Sequence, residues 1–202
     1  MSQKREEIIK TAAILMRSKG YENTKLSDIL EEGPFGKGQF YYYFSSKREV
    51  GLAVIDYFFE SFNSELLECI LSSKKSPEIR FNEMLEYVVE DQKLKEAKCG
   101  CIFGNFAVEM SEHDEGFRKK ISEVFELWVL KLKLVFDEMI KSSEPKNSFE
   151  TYILAQGIVA MLEGGILIMK NKQDIEVLKG VTELSRYLVN TFVREHTYKK
   201  GD

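Results

Sequence analysis

The sequence predicts an all-α fold of about nine helices, in which an N-terminal three-helix helix-turn-helix domain precedes a C-terminal helical bundle. Apolar residues recur every three or four positions along most of the chain, and strand signals are sparse. The three prolines, Pro34, Pro77 and Pro145, each fall at a break between helical patterns. A boundary inside the fourth helix divides the chain into predicted domains of residues 1–50 and 51–202.

The first two helices are predicted from an apolar stripe and from their end signals. The stripe of the first helix consists of Ile8, Ile9, Ala12, Ala13, Leu15 and Met16. Gly20 falls where a left-handed cap would end that helix. Thr24 is placed to cap a two-turn second helix, which Gly33 and Pro34 stop.

The stretch from Lys37 to Phe44 carries five consecutive aromatic rings after a lysine, a glycine and a glutamine. In isolation these rings have high strand propensity and fit a buried β-strand. As a helix, the stretch places Phe40 and Phe44 on one face and its polar tips on another. The neighbouring helical patterns favour the helix, because residues 46–49 form a capping box before another apolar stripe. A short helix with exposed polar tips in a helix-turn-helix arrangement is suited to reading DNA.

Longer helices are predicted for the C-terminal domain. Their ranges are 47–71, 77–93, 99–110, 115–142, 148–170 and 174–197. The helix of residues 148–170 is apolar almost all round in its centre, which indicates burial on more than one side. We therefore predict that the last two helices form a four-helix interface with a twofold copy; the alternative is the centre of a monomeric bundle. The predicted dimer-interface residues are Ile158, Leu162, Ile166, Leu184, Tyr187, Leu188 and Thr191.

Length and composition are those of a soluble globular protein, with 202 residues of which 44% are hydrophobic and 31% charged. No cationic start leads into an apolar stretch, so no secretory signal is expected. The longest apolar segment, from Ile153 to Met169, falls short of the roughly 20 residues that a bilayer crossing needs. We therefore expect a cytoplasmic protein with no membrane partner.

Charge is distributed unevenly along the chain, whose net charge is -4. Residues 1–50 carry nine basic and seven acidic side chains, a net charge of +2, whereas the remainder carries -6. A mildly basic N-terminal region joined to an acidic body suits a protein that contacts phosphate at one end only.

The sequence contains no motif for catalysis, and we expect that the protein is not an enzyme. A Gly-rich phosphate loop, a nucleophile elbow and an HExxH motif are all lacking, and His113 and His196 have no catalytic spacing. The Glu-x-x-His motif of di-iron bundles is also missing, because Met110 and Val193 stand three residues before the histidines.

No metal or cofactor is expected either. The three cysteines, Cys69, Cys99 and Cys101, are an odd number, which argues against a disulfide framework. A closed metal site needs about four ligands, and neither histidine is placed to complete one with Cys99 and Cys101. The cysteines are therefore predicted to be small core residues.

Residues 8–54 resemble the N-terminal DNA-binding domain of tetracycline-repressor-like (TetR-family) transcriptional regulators. The resemblance rests on Ala12-Ala13, Gly20-Tyr21, Thr24, Asp28-Ile29, Lys37-Gly38, the run from Phe40 to Phe44, and the run from Ser46 to Glu49. A weaker likeness, over residues 101–109, is to one branch of the family. The resemblance implies a homodimeric repressor that binds a palindromic operator in double-stranded DNA. It also implies that a small hydrophobic effector bound in the C-terminal domain releases the operator.

Two residues of the turn depart from the family pattern. Pro34 stands where the family usually has a glycine, and proline cannot adopt a positive φ. Gly36 stands where the family often has a serine or a proline. These departures leave open the turn geometry and any phosphate contact from a turn hydroxyl. Pro34 is also the best argument for the alternative class, an all-α ligand-binding or interaction module that does not bind DNA.

The third helix and its flanks supply the candidate DNA-binding residues. These are Thr24, Lys25, Gly36, Lys37, Gly38, Gln39, Tyr41, Tyr42, Tyr43 and Lys47. Gly38 lets a backbone N–H approach a phosphate without a Cβ in the way, and the amide of Gln39 can pair with adenine. Tyr41 and Tyr42 offer hydroxyls to phosphate. Tyr43 either contacts a base or only packs.

Aromatic and methionine side chains of the C-terminal domain suggest an effector pocket, although each of them alone is equally typical of a core. The candidate pocket residues are Phe81, Met84, Tyr87, Phe103, Asn105, Phe106, Phe125, Trp128, Met161 and Glu163. Glu109 is a further candidate for a polar contact. Glu163 lies on the apolar helix, where an unpaired buried carboxylate is costly. It is expected to bind a cationic ligand, to pair across the dimer, or to face solvent.

Overall fold

The computed structural model describes residues 2–141 and 145–198 of the chain. Within those ranges the regular structure consists of nine α-helices and one π-helical segment, as the all-α prediction requires. The helices are α1 (Gln3–Lys19), α2 (Leu26–Glu32), α3 (Lys37–Tyr43), α4 (Lys47–Phe62), α5 (Pro77–Leu94), α6 (Ile102–Met110), α7 (Glu115–Ile140), α8 (Pro145–Lys172) and α9 (Ile175–Tyr198). The π-helical segment, Asn63–Leu71, continues directly from α4, so the prediction that this helix runs on to residue 71 is confirmed.

Packing divides the chain into two compact units, each built from two separate stretches of sequence. The amino-terminal unit comprises Met1–Ser61 and Ile102–Val124. The carboxy-terminal unit comprises Phe62–Cys101 and Phe125–Asp202. Helix α6 and the start of α7 therefore belong with α1, α2, α3 and most of α4.

The core of the amino-terminal unit contains an aromatic cluster that joins α6 and α7 to the first helices. The Tyr21 ring lies 5.7 Å from that of Phe106 and 5.0 Å from that of Phe117, measured between ring centroids. Phe106 and Phe117 stack with centroids 5.7 Å apart. Helix α4 approaches this cluster at Gly51, where a Cβ would lie 2.6 Å from the Tyr21 ring. Gly51 is therefore needed for the close approach of these elements.

The turn between α1 and α2 differs from its predicted geometry. Gly20 has φ 84° and ψ 165°, a positive-φ conformation that is extended rather than the predicted left-handed helical cap. The predicted cap at Thr24 is also wrong, because Lys25 is the residue that precedes α2. The Thr24 hydroxyl instead donates to the carbonyl of Gly20 at 2.7 Å. Asp28 secures the start of α2 by accepting the Lys25 backbone N–H at 3.2 Å.

The capping box before α4 is confirmed in one of its two bonds. The Ser46 hydroxyl accepts the backbone N–H of Glu49 at 3.3 Å, as a capping residue does. The Glu49 carboxylate does not return to Ser46; it accepts the backbone N–H of Ser45 at 2.8 Å and the Ser45 hydroxyl at 2.9 Å. These bonds lower the pKa of Glu49.

The turn between α2 and α3 accommodates Pro34 because it needs no positive φ. Gly33 (φ -87°, ψ 147°) and Gly36 (φ -84°, ψ 164°) are both extended. The residue between Pro34 and Gly36, Phe35, is buried. Its ring occupies the space beside Gly33, where a Cβ would lie 2.1 Å from a ring carbon. Glycine is required at position 33 for space and not for its backbone angles.

The carboxy-terminal unit is built around α8 and α9, which pack against each other, while α5 packs against α9 and the π-helical segment. Helices α8 and α9 meet closely at Gly165, where a Cβ would lie 3.0 Å from the Val181 side chain. The end of the π-helical segment is held by the buried Arg80, which donates to the carbonyl of Leu71 at 3.0 Å and forms an ion pair with Glu138.

The two sides of α8 differ in burial, which changes the predicted dimer interface. Ile158, Leu162 and Ile166 are buried within the carboxy-terminal unit of a single chain, so they lie in its core and not on a surface that a partner could cover. Other large apolar residues are exposed. Those on α8, the α8 row, are Phe149, Ile153, Leu167 and Ile168. Those on α9, the α9 row, are the predicted residues Leu184, Tyr187 and Leu188, and Thr191 is partly exposed beside them.

Helix α8 is longer than its apolar pattern suggests. Its stretch Ser148–Lys172, of 25 residues, meets the length and composition of a membrane span, so the expectation that this segment is too short is wrong. It is the one such helix among the described residues. Part of this apolar surface packs on α9, and the α8 row is exposed in the single chain.

The expected burial of the cysteines is wrong. Cys69 is exposed, Cys99 and Cys101 are half-buried, and none of the three forms a disulfide. The side chain of Cys101 forms a hydrogen bond with Glu163.

Replacing Gly33 tests the turn. We expect Gly33→Ser to lower stability by about 1–3 kcal/mol, because the new Cβ collides with the Phe35 ring. Thermal unfolding measures the loss. Gly36→Ser is the matched control, since a Cβ at Gly36 meets nothing within 4 Å and serine is a favoured residue before a helix. Equal effects of the two variants would contradict the steric role of Gly33.

Candidate nucleic-acid interface

Helix α3 has one buried face and one exposed face. The buried face consists of Phe40 and, directly after the helix, Phe44, which are 0% and 1% exposed. Tyr41 and Tyr42 lie on the other side and are 47% and 80% exposed. The prediction that the aromatic run forms a helix and not a strand is confirmed. A helix of seven residues is unstable by itself, so its two buried phenylalanines hold it in place.

The buried face of α3 packs against α1. The rings of Phe40 and Phe44 are 6.0 Å apart between centroids, and the guanidinium of Arg5 on α1 lies 5.0 Å from the centroid of the Phe44 ring. A cation over an aromatic face is attracted by the ring quadrupole. This contact fixes the end of α3 on α1.

The start of α3 is open to solvent and contains two glycines. Lys25, Gly36, Lys37 and Gly38 are all exposed. A Cβ at Gly36 or Gly38 would meet nothing within 4 Å, and neither glycine has a positive φ. The fold itself therefore does not require glycine at position 38, which leaves room for a partner to approach the backbone there.

Gln39 and Tyr43 are half-buried and stand on the flank of α3. The Tyr43 hydroxyl is within hydrogen-bonding distance of the Ser2 hydroxyl, at 2.8 Å. Its ring meets that of Tyr42 edge to face, with centroids 4.8 Å apart. Tyr43 thus packs at the base of the exposed Tyr42 and is less accessible than Tyr41 or Tyr42.

The side chains of Thr24 and Lys47 both contact the turn after α1. Thr24 is fully buried with its hydroxyl bonded to the Gly20 carbonyl, so this side chain is not available for the predicted contact with DNA. The ammonium of Lys47 lies 4.2 Å from the centroid of the Tyr21 ring and donates to the Glu22 carbonyl at 3.3 Å. Burial, followed by the charges of Glu22 and Asp114, raises the pKa of Tyr21 to about 12, so the ring under Lys47 is neutral.

Glu109, a candidate for ligand contact in the sequence, stabilises the same turn. Its carboxylate accepts the backbone N–H of Glu22 at 2.8 Å. A Cβ at Gly20 would lie 2.7 Å from the Glu109 Oε1 atom, so a side chain at position 20 would displace the carboxylate. Because such a contact joins residues far apart in sequence, no local pattern could predict it.

A second contact between distant residues links α4 to the start of α7. The guanidinium of Arg48 donates to the two carboxylate oxygens of Asp114, at 2.5 and 2.9 Å. Asp114 also accepts the backbone N–H groups of Gly116 and Phe117 at the first turn of α7. Arg48 and these N–H groups lower the pKa of Asp114 to about 2. The carboxylate therefore stays ionised at neutral pH and caps α7 while it pairs with Arg48.

Comparison with known proteins also identifies the amino-terminal helices as a DNA-binding domain. The family described as bacterial regulatory proteins, tetR family, matches residues 8–54, and the family described as transcriptional regulator LmrA/YxaF-like, C-terminal domain, matches residues 77–184. An HTH-type transcriptional regulator encoded in the lacX 3' region of Lactococcus lactis is 36% identical over 184 residues, covering 89% of this chain and 90% of that protein. The HTH-type transcriptional repressor DhaR of Mycobacterium sp. strain GP1 is 25% identical and covers 86% of each chain.

The chain belongs to the TetR family of transcriptional regulators. A crystal structure of the regulatory protein TetR from Rhodobacter sphaeroides has the same fold, with a TM-score of 0.79 at 24% sequence identity over 91% of this chain and 97% of that one. TetR-family regulators bind DNA through a helix-turn-helix and are not enzymes. Among the residues that the structure describes, no group of three His, Cys, Asp or Glu side chains is placed to hold a metal ion.

The predicted pocket residues of this TetR-family chain fall in both units. Phe103, Asn105 and Phe106 belong to the amino-terminal unit, where Phe106 is part of the core cluster with Tyr21. The others lie in the carboxy-terminal unit, and they are Phe81, Met84, Tyr87, Phe125, Trp128, Met161 and Glu163.

Several of these residues of the carboxy-terminal unit already have partners within it. The indole N–H of Trp128 lies 3.4 Å from the Met84 sulfur, and both side chains are buried. The Tyr87 hydroxyl donates to the Glu65 carboxylate at 3.1 Å. Glu163 differs from these, because its Oε1 atom is shielded from solvent and has no hydrogen-bond partner. Of the three expectations for Glu163, exposure to solvent is therefore wrong for this oxygen.

Replacing Gly38 tests whether DNA approaches the start of α3. We expect Gly38→Ala to fold normally, since the Cβ meets nothing in the chain and alanine favours a helix by about 1 kcal/mol. Its operator affinity should nevertheless fall about tenfold, because the Cβ obstructs a phosphate at the backbone. Fluorescence anisotropy measures the affinity, and thermal unfolding of the same sample is the control. Unchanged affinity would show that DNA does not come close at Gly38.

Proposed function

We propose that the protein is a homodimeric repressor that binds a palindromic operator through α3 and releases it when a small hydrophobic effector binds the carboxy-terminal unit. The observation that best supports DNA binding is that one face of α3 is buried and the other is exposed. Phe40 and Phe44 are held in the core, while Lys37, Tyr41 and Tyr42 are accessible. Such a helix can enter a major groove without disturbing its own packing.

The exposed residues are proposed to position the protein on DNA, and the half-buried Gln39 is proposed to read its sequence. Lys25, Lys37, Tyr41 and Tyr42 carry an ammonium or hydroxyl group suited to phosphate contacts, which carry no sequence information. Gln39 has an amide that can bond both N6 and N7 of adenine in the major groove. Gln39 is therefore the proposed residue for base recognition.

Dimerisation through α8 and α9 would set the distance between the α3 helices of the two subunits. The support is the pair of exposed apolar rows, which a monomer leaves in contact with water. Small residues lie between the large ones on α8, where a Cβ at Gly157 or Gly164 would meet nothing within 4 Å. The proposed interface therefore comprises the α8 and α9 rows with Thr191, and excludes Ile158, Leu162 and Ile166. A twofold dimer reads successive major grooves when its recognition helices are about 34–36 Å apart.

Repression is proposed from a similar protein, and release of the operator from the thermodynamic linkage between effector binding and DNA binding. DhaR is a transcriptional repressor that is similar to this chain over most of its length, which favours repression over activation. An effector that binds better to a dimer with the wrong helix separation shifts the population towards that form and lowers operator affinity. A preference of a few kcal/mol between the two forms is sufficient. The proposed site of action is the cytoplasm, where the operator DNA lies.

Selection of binding sites from random DNA tests whether Gln39 of α3 recognises a base. We expect Gln39→Ala to change the preferred base at one position of each half-site, because loss of a bidentate amide contact removes about 1–3 kcal/mol of discrimination. High-throughput sequencing of selected DNA measures the preference. Glu112→Ala, at an exposed polar residue of the same unit, is the control and should keep the original site. An unchanged preference for Gln39→Ala would remove Gln39 from base recognition, and no selected site for the unaltered protein would refute the proposed function.

A charge placed in the α9 row tests the dimer. Leu184 is 49% exposed, and we expect Leu184→Glu to yield monomers whose operator affinity is lower by about a hundredfold, because the two half-sites are no longer bound together. Leu134 on α7 is 55% exposed, so Leu134→Glu makes the same change on a surface outside the proposed interface. Sedimentation velocity measures the oligomeric state. Dimers of Leu184→Glu, or monomers of both variants, would contradict the proposed interface.

A further inference from the structure

Four buried side-chain atoms of the described residues have no hydrogen-bond partner, and all four lie in the carboxy-terminal unit. Besides the Ser73 hydroxyl and the Arg80 Nε atom, they are two oxygens that can only accept, Oε1 of Gln92 and Oε1 of Glu163. Buried polar atoms are almost always hydrogen-bonded, because an unpaired one loses its bonds to water and gains nothing in return. Two unpaired acceptors in one unit call for a donor that the chain itself does not supply.

The orientation of the Gln92 amide is fixed by its neighbours. Gln92 is 1% exposed, and its Nε2 donates to the Asp91 carboxylate at 2.9 Å and to the Gly100 carbonyl at 3.5 Å. Both neighbours are acceptors, so the amide nitrogen must face them and the amide oxygen must point away. The unpaired atom is therefore an acceptor and not a misplaced donor.

Glu163 on α8 contacts the chain one residue beyond Gly100. Its carboxyl makes a hydrogen bond with the side chain of Cys101, which directly follows Gly100. Burial raises the pKa of Glu163 to about 6, although Cys101 and the charge of Lys95 oppose the shift. The group is therefore mainly ionised at neutral pH, and a thiol is only a weak donor to it.

The nearby cation is already paired. The ammonium of Lys95 forms an ion pair with Asp91, one turn earlier on α5. Asp91, Lys95 and Glu163 together carry a net charge of -1, and the uncompensated charge resides on Glu163. The site thus has both the unpaired acceptors and the charge that a cationic donor would satisfy.

The backbone that carries these contacts is held in an unusual conformation. Glu96 and Ala97 have φ values of 52° and 56°, although neither is glycine, and Gly100 has φ 72°. The Ala97 N–H donates to the Gln92 carbonyl at 2.9 Å, which ties the loop to the end of α5. Backbone conformations of this kind cost about 1–3 kcal/mol each and recur at ligand-binding sites.

We infer that Glu163 and Gln92 bind the cationic, N–H-bearing end of the effector, as a primary ammonium, an amidinium or a guanidinium group. This inference rests on the proposed function in one respect only, that the bound molecule is the effector. A primary ammonium brings three donors and one positive charge, which match two acceptors and one uncompensated carboxylate. A quaternary ammonium brings the charge without donors, and an alcohol brings one donor without charge.

Probes that share a carbon framework and differ only in the head group separate the contribution of charge from that of N–H donors. Butyl, benzyl and naphthylmethyl frameworks are each tested as the primary amine, the trimethylammonium salt and the alcohol. Isothermal titration of the full-length protein measures the dissociation constants. On the framework that fits, we expect the primary ammonium to bind about ten- to hundredfold more tightly than both analogues, the range typical of hydrogen bonds to a charged group.

Variants of the two acceptors assign the preference to this site. Glu163→Gln keeps the side-chain volume, removes the charge, and should bring the ammonium and alcohol affinities within about threefold of each other. Gln92→Met removes the other acceptor and should weaken ammonium binding about tenfold, which keeps a test available if Glu163→Gln does not fold. Glu86→Gln removes an exposed carboxylate of the same helix as Gln92 and should retain the wild-type preference.

Three results would overturn the inference. They are binding of none of the primary ammonium probes, equal or tighter binding of the neutral or quaternary analogues, and an unchanged ammonium preference in both Glu163→Gln and Gln92→Met. Operator binding by the ligand-free protein, measured on the same samples, tests the proposed function separately. If the protein binds no DNA but prefers the ammonium probes, the repressor function fails and the binding site stands.

Discussion

The burial of Phe40 and Phe44 is the constraint on which the DNA-binding surface depends. A helix of seven residues has too few internal hydrogen bonds to persist alone, so its position is set by what its buried face contacts. Residues 40–44 are all aromatic, so burying Phe40 and Phe44 on one face leaves Tyr41 and Tyr42 on the exposed face. The same packing brings Arg5 over the Phe44 ring, so α1 contributes directly to the orientation of α3.

The sequence predicted the helices well and the long-range contacts poorly, for one physical reason. Helical periodicity is a local property, and it located the helices to within a few residues, including α3 despite its strand-like composition. It could not tell which side of α8 is buried, because that helix is apolar almost all round. Periodicity therefore does not distinguish the buried Ile158 from the exposed residues of α8, whereas the clearly amphipathic α9 exposes Leu184 and Tyr187.

Polar residues were misassigned when their partners lie far away in sequence. Glu109 was a candidate for ligand contact, yet it accepts a backbone N–H 87 residues earlier, at Glu22. Thr24 has the composition of a helix cap, but the extended conformation of Gly20 places a carbonyl within reach of its hydroxyl. Glu163 was recognised as unusual because a carboxylate on an apolar helix is costly wherever it lies. Identifying Gln92 as a second unpaired acceptor required the folded structure.

The membership of α6 in the amino-terminal unit matters for anyone who recombines these proteins. A DNA-binding module that ends at residue 54, where the tetR family match ends, would lack Phe106, Glu109 and Asp114. It would lose the Phe106 ring contact with Tyr21, the hydrogen bond from Glu22 to Glu109, and the ion partner of Arg48. A chimera designed to transplant the operator specificity of this chain onto a foreign sensor should therefore carry residues 102–124 along with the first 61, as a discontinuous graft.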